Sequence, residues 1–79
     1  YGYKSQARCG GGQTFPGTTS LDGATLIALV RDVMRELVRH GARSIVLVDG
    51  HYENQWFLTE ACELTVRELG PAHPGLRCL

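Results

Sequence analysis

His51 and Glu53, two side chains able to bind a metal ion, lie one residue apart just after a short apolar segment. Alternate residues of an extended chain project to the same side, so the imidazole and the carboxylate are expected to face one way. Imidazole nitrogen and carboxylate oxygen together suit zinc or manganese. The spacing alone is a weak signal. The alternative is a surface histidine followed by a glutamate that stabilises the first turn of a helix.

The elements before this pair are a helix and a strand. Apolar side chains recur at helical spacing up to Gly41, which predicts a helix over 22–40 with Asp22 as its N-cap. Residues 44–48 are mostly β-branched and apolar without alternation, as is typical of a parallel strand covered on both faces. Ligands of open α/β sheets bind beyond the carboxyl ends of such strands, which is where the metal-site turn, 49–54, is placed.

The remaining segments suggest an incomplete sheet. A second helix is predicted over 54–69, with Asn54 as its N-cap and Gly70 after its last turn. Residues 1–21 are predicted to form a long loop and residues 70–79 a loose tail. The predicted fold class is therefore α/β, with one strand and no second predicted strand to pair with it. We expect such a chain to fold poorly alone and to be part of something larger.

The composition argues against several classes of function. Eight basic residues balance eight acidic ones, so no basic face for nucleic acid or anionic lipid is expected. No apolar run approaches the ~20 residues of a membrane-spanning helix, and no secretory leader opens the chain. The three cysteines are widely spaced, which argues against a disulfide framework and a zinc ribbon. A cytoplasmic location is expected.

Five segments of the sequence carry a resemblance to a known family. They are Tyr1-Gly2-Tyr3-Lys4-Ser5-Gln6, Gly10-Gly11-Gly12, Phe15 to Leu26, Arg39-His40-Gly41-Ala42-Arg43 and Gly50-His51-Tyr52-Glu53-Asn54. Over residues 1–69 the chain resembles the middle of the creatininase (creatinine amidohydrolase) family, and the pair Tyr52-Glu53 resembles its creatinine-hydrolysing members most. The segment 1–69 is thus expected to be a partial creatininase-like domain, with 70–79 unmatched.

The resemblance implies a fold and a chemistry. The fold is a three-layer α/β/α sandwich with a mostly parallel sheet. The activity is hydrolysis of the cyclic amide of creatinine to creatine with two divalent metal ions, zinc or manganese, in an enzyme that forms homo-oligomers. By position, His51 and Glu53 match metal ligands, while Tyr52 and Cys9 match substrate-contacting residues.

Three residues depart from the family pattern, and part of the pattern is missing. Thr14 stands where members have histidine, Asp49 where they have asparagine, and Cys9 where creatininase has serine. The family's N-terminal metal ligands and its later Trp- and His-bearing segment have no counterpart. Because catalytic zinc normally has three protein ligands, this polypeptide alone is expected to be inactive.

Other interpretations remain open. The parent could be another family member that acts on a different C–N bond, or the chain could be a non-catalytic remnant that docks on a full-length partner. Nucleotide binding at Gly10-Gly11-Gly12 is disfavoured because the lysine of a phosphate-binding loop is absent. Cys9 as a nucleophile beside a histidine is disfavoured because nothing indicates a lowered thiol pKa.

Overall fold

The computed structural model describes residues 2–3, 17 and 19–79, apart from the side chain of Tyr52. In chain order the elements are β1 (Gly2–Tyr3), β2 (Ser20–Leu21), α1 (Gly23–Arg39), β3 (Ser44–Ile45), a 3₁₀ turn (Tyr52–Asn54), α2 (Gln55–Leu69), a second 3₁₀ turn (Gly70–Ala72) and β4 (Arg77–Cys78). β1 pairs with β2 and β3 with β4, both in parallel. Helices with parallel strands confirm the predicted α/β class.

Helix α1 follows the predicted periodicity but buries a different stripe. Leu26, Met34 and Val38 are buried, whereas Val33 and Leu37, which the prediction included in the apolar face, are about half exposed. The helix ends where Gly41 takes a φ of +108°, a left-handed conformation that residues with a Cβ rarely adopt. The Gly41 N–H donates to the Val38 carbonyl at 3.0 Å and so satisfies one of the last carbonyls of the helix.

Helix α2 packs against α1, and its buried positions are Ala61 and Thr65. The predicted stripe of Phe57, Ala61 and Leu64 is therefore only partly buried, because Phe57 and Leu64 lie at the border of the contact. The core joins both helices with the β3–β4 region. Its buried side chains are Met34, Val38, Ile45, Ala61 and Leu76.

Strand β3 is shorter than predicted and has a partner. The ladder covers Ser44 and Ile45 rather than 44–48, and β4 pairs with it, so the expectation of an unpartnered strand is wrong. Two further hydrogen bonds prolong the contact, from the Leu47 N–H to the Leu79 carbonyl at 2.8 Å and from the Leu79 N–H to the Ile45 carbonyl at 2.9 Å. The periodicity of 44–48 gave no indication of this partner.

The segment after Leu69 is ordered, in contrast to the loose tail expected from its composition. Leu76 is buried in the core, and Cys78 forms a disulfide with Cys62 of α2 across a Cα–Cα distance of 5.6 Å. The number and spacing of the cysteines argued against a disulfide framework, and this single bond was not predicted from the sequence. The reason is that α2 covers β4 and brings two cysteines distant in sequence together.

Several large apolar side chains of the described residues stay in contact with solvent. Val46, Val48 and Trp56 are 65%, 90% and 70% exposed. No helix among the described residues is long and apolar enough to cross a membrane.

Candidate metal centre

A tight turn after β3, and not an extended chain, brings His51 and Glu53 together. The Asp49 Oδ1 accepts the His51 N–H at 3.0 Å, and the His51 carbonyl accepts the Asn54 N–H at 3.0 Å. This closes the 3₁₀ turn and leaves the His51 Nε2 3.9 Å from the Glu53 Oε1. The alternation argument is therefore wrong about the backbone, although the two side chains do lie on one side.

The two side chains differ in exposure. The Glu53 side chain is only 11% exposed and that of His51 is 47% exposed. The Glu53 Oε1 is buried, and no described residue donates a hydrogen bond to it. A buried carboxylate oxygen without a donor is costly, and a bound cation is one way to satisfy it.

The distance between the two donors is compatible with a shared ion. Ligand atoms at roughly 2.0–2.2 Å from one zinc are at most ~4.4 Å apart, and the His51–Glu53 distance of 3.9 Å lies within that limit. The Glu53 N–H also approaches the His51 Nδ1 at 3.4 Å, which is a long and weak contact. An ion on Nε2 would place the ring proton on Nδ1 and remove that contact. An imidazole nitrogen and a carboxylate oxygen at this distance fit a divalent cation.

The described residues provide these two donors and no complete site. Among them, no group of three or more His, Cys, Asp or Glu side chains could hold a metal ion. A cavity of about 140 Å³ lies nearby, but neither His51 nor Glu53 lines it. Its lining residues are Leu47, Asp49, Gln55, Leu58, Thr59, Cys62 and Leu79.

The side chain of Asn54 links the turn to β1 and does not cap α2. Its Oδ1 accepts the Tyr3 N–H at 2.8 Å, and it makes no capping hydrogen bond. Beside it, the Tyr3 ring stacks on Phe57 with 4.2 Å between ring centroids. The cap prediction for Asn54 is therefore wrong. No signal in the sequence shows a contact across 51 positions.

The other predicted site residues are Cys9, Thr14 and Tyr52. Cys9 and Thr14 lie outside the described residues, and Tyr52 is described in its backbone only. The substrate contacts assigned to Cys9 and Tyr52, and the departure of Thr14 from the family pattern, stay predictions.

The sequence model of the Creatininase family, described as creatinine amidohydrolase, matches residues 1–77 of the chain. The chain belongs to the creatininase family. This confirms the resemblance seen in the sequence and extends the matched region into β4. A creatinine amidohydrolase of Pseudomonas putida is 64% identical over 69 residues, which is 87% of this chain and 26% of that protein.

Solved creatininase structures resemble the whole chain. A structure described as creatininase Mn has a TM-score of 0.84 and 56% identity, covering 100% of this chain and 31% of that one. A mutant creatininase of the Zn-Zn type has a TM-score of 0.81, 55% identity, and the coverages 100% and 32%. A mutant complexed with creatine has a TM-score of 0.84, 55% identity, and the same coverages, 100% and 32%.

Two conclusions follow from these comparisons. Creatininases bind manganese or zinc, as the resemblance implied. The chain spans about a quarter of the length of the Pseudomonas relative and about a third of the solved structures, which are covered to 26% and 31–32%.

Proposed function

We propose that the chain supplies the His51 and Glu53 metal ligands of a metal-dependent creatininase that hydrolyses creatinine to creatine. The observation that carries the proposal is the buried Glu53 Oε1, which no described residue satisfies, 3.9 Å from the His51 Nε2. Membership of the creatininase family and the creatine complex of a relative support the substrate.

The chain's own residues have distinct tasks in this proposal. Two divalent ions, manganese or zinc, would supply Lewis-acid activation of the amide carbonyl and of water. His51 would offer its Nε2 and Glu53 its Oε1 as ligands, while the Asp49 carboxylate holds the His51 backbone. Tyr52 and Cys9 would contact the substrate, as the family resemblance implies. A cytoplasmic homo-oligomer is part of the same proposal.

The chain by itself is proposed to lack turnover. Catalytic zinc normally has three protein ligands and a water molecule, whereas the described residues bring only two donors together. Creatinine hydrolysis well above blank by the purified chain with added Zn²⁺ or Mn²⁺ would contradict this part of the proposal alone.

Docking of this chain on a full-length family member is the second candidate. The exposure of Val46, Val48 and Trp56 favours it, since interaction surfaces commonly expose large apolar side chains in the absence of the partner. Size-exclusion chromatography of the chain with an intact creatininase tests it. Co-elution is expected for docking, and separate elution contradicts it.

Metal binding is the sharpest test of the proposal. Mn²⁺ titrated into the chain, followed by electron paramagnetic resonance, should show a bound ion. His51→Ala and Glu53→Gln should each weaken that binding about tenfold or more, because each removes one of two protein donors. His73→Ala and Glu63→Gln are matched controls, since both residues lie outside the turn. Equal affinities in all four variants and the parent chain would overturn the proposal.

A further inference from the structure

Asn54 connects the metal-ligand turn to a strand that lies far away in the sequence. We propose that Asn54 is a positioning residue, whose side chain fixes the turn against β1 and so holds the imidazole of His51 and the carboxylate of Glu53 in one geometry. This inference rests on the proposed function, because it assigns a task relative to that ligand pair.

The backbone and the side chain of Asn54 act on two different partners. Its N–H donates to the His51 carbonyl at 3.0 Å and closes the turn, while its Oδ1 accepts the Tyr3 N–H at 2.8 Å. The backbone angles of φ −82° and ψ −16° are helical, whereas a capping residue is extended. The side chain is therefore engaged with β1 and not with the start of α2.

Gly2 gives independent support for the close approach of Asn54 to β1. A Cβ at Gly2 would lie 3.2 Å from the Asn54 Oδ1, which is tighter than ordinary van der Waals contact, and 3.4 Å from its Nδ2. The absence of a side chain at Gly2 lets the amide group come this near. The carboxamide thus lies against the backbone of β1 as well as accepting its hydrogen bond.

The hydrogen bond between Asn54 and Tyr3 affects the metal ligands through the backbone around it. β1 also pairs with β2, which is followed directly by Asp22 and α1. Asn54 directly follows Glu53, so a shift of Asn54 moves the backbone that carries the carboxylate. Residues that orient ligands without touching the ion commonly change metal affinity 10–100-fold, so about tenfold is expected here.

The test compares metal affinity with the state of the Tyr3 hydrogen bond. Asn54→Ala removes the acceptor, and Asn54→Asp keeps an oxygen at its place. Phe57→Leu is the matched control, because it weakens the ring contact of Tyr3 without touching the hydrogen bond. Mn²⁺ affinity and the exchange rate of the Tyr3 amide proton are measured for each variant.

A positioning role predicts one pattern of results. Asn54→Ala should speed up Tyr3 amide exchange and weaken Mn²⁺ binding about tenfold. Asn54→Asp keeps the acceptor and adds a negative charge, so it should restore slow Tyr3 exchange and bind Mn²⁺ at least as tightly as the parent chain. Phe57→Leu should leave the affinity within about twofold even where it lowers stability. Asn54→Ala with unchanged affinity and fast Tyr3 exchange would overturn the inference, as would an equal loss of affinity in Phe57→Leu.

Two further outcomes are decided by other variants. If Asn54→Ala does not fold, Gly2→Ala is used in its place, because the added methyl group would crowd the Asn54 carboxamide from β1. Gly2→Ala should weaken Mn²⁺ binding, and an unchanged affinity would overturn the inference. If His51→Ala does not affect Mn²⁺ affinity, the proposed function fails and this inference falls with it. Loss in His51→Ala without loss in Asn54→Ala defeats the positioning role alone.

Discussion

The Arg35 guanidinium of α1 lies 3.1 Å from the Glu68 carboxylate of α2. Arg31 reaches the same carboxylate at 2.9 Å, so two cations of one helix converge on one anion of the other. The hydrogen bonds from Arg35 and then Arg31 hold the pKa of Glu68 below its ordinary value. Because the groups are exposed, solvent and salt screen this interaction, and its contribution to stability is small.

Glu68→Gln should lower the stability of the α1–α2 packing only above the acidic range. A carboxylate with a lowered pKa in the folded state stabilises it above the ordinary pKa near 4.5, and this gain is lost as pH falls through the folded value. Urea midpoints of the parent chain and Glu68→Gln should differ near neutral pH, and the difference should shrink as the pH falls below the ordinary pKa of 4.5 and through the lowered folded-state pKa. Glu63→Gln, an exposed carboxylate of the same helix, is the control. A difference that persists in acid would contradict the ion-pair explanation.

Asp49 allows the geometry of the turn to be separated from the charge beside the ligands. In the parent chain the Asp49 Oδ1 accepts the His51 N–H at 3.0 Å. Asp49→Asn keeps a side-chain oxygen that can accept this N–H, so the turn should stay intact. Asp49→Ala removes the acceptor and should weaken Mn²⁺ binding more than Asp49→Asn does. The amide shift of His51 and the Mn²⁺ affinity check this. Equal affinities in the two variants would show that the acceptor for the His51 N–H does not affect Mn²⁺ binding, which contradicts the prediction.

Reduction of the Cys62–Cys78 disulfide should destabilise the chain. A cross-link across 16 positions restricts the unfolded chain by up to about 3 kcal/mol. Urea unfolding with and without dithiothreitol measures this difference, which should vanish in Cys78→Ser and persist in Cys9→Ser. A difference that survives in Cys78→Ser would contradict the disulfide.

Thr65→Val should stabilise the chain by about 1 kcal/mol, because the buried Thr65 hydroxyl has no hydrogen-bond partner among the described residues. Thr59→Val is the matched control. Its exposed hydroxyl donates to the Gln55 carbonyl at 2.9 Å, and the change there should stay within about 0.5 kcal/mol. Urea unfolding followed by circular dichroism gives both values. A destabilised Thr65→Val would show that the hydroxyl is bonded after all.

Local patterns predicted the helices and the position of the turn, since each depends on neighbours in the sequence. The end of α1 at Gly41 is one example, because the left-handed conformation is a property of that residue. Strand β4 was missed because Arg77 and Cys78 pair through their backbones, which leaves no hydrophobic pattern to read. Asn54 was misjudged because the same amide can cap a helix or bind a distant strand, and only the tertiary fold decides between them.

Trp56, the one tryptophan of the chain, lies in the first turn of α2 with 70% of its surface exposed. Its fluorescence therefore arises from a single indole in water, two positions after Asn54. A protein surface laid over the start of α2 would shift this emission to shorter wavelengths and shield it from an aqueous quencher. The native sequence thus carries its own optical reporter at the border of the candidate metal centre.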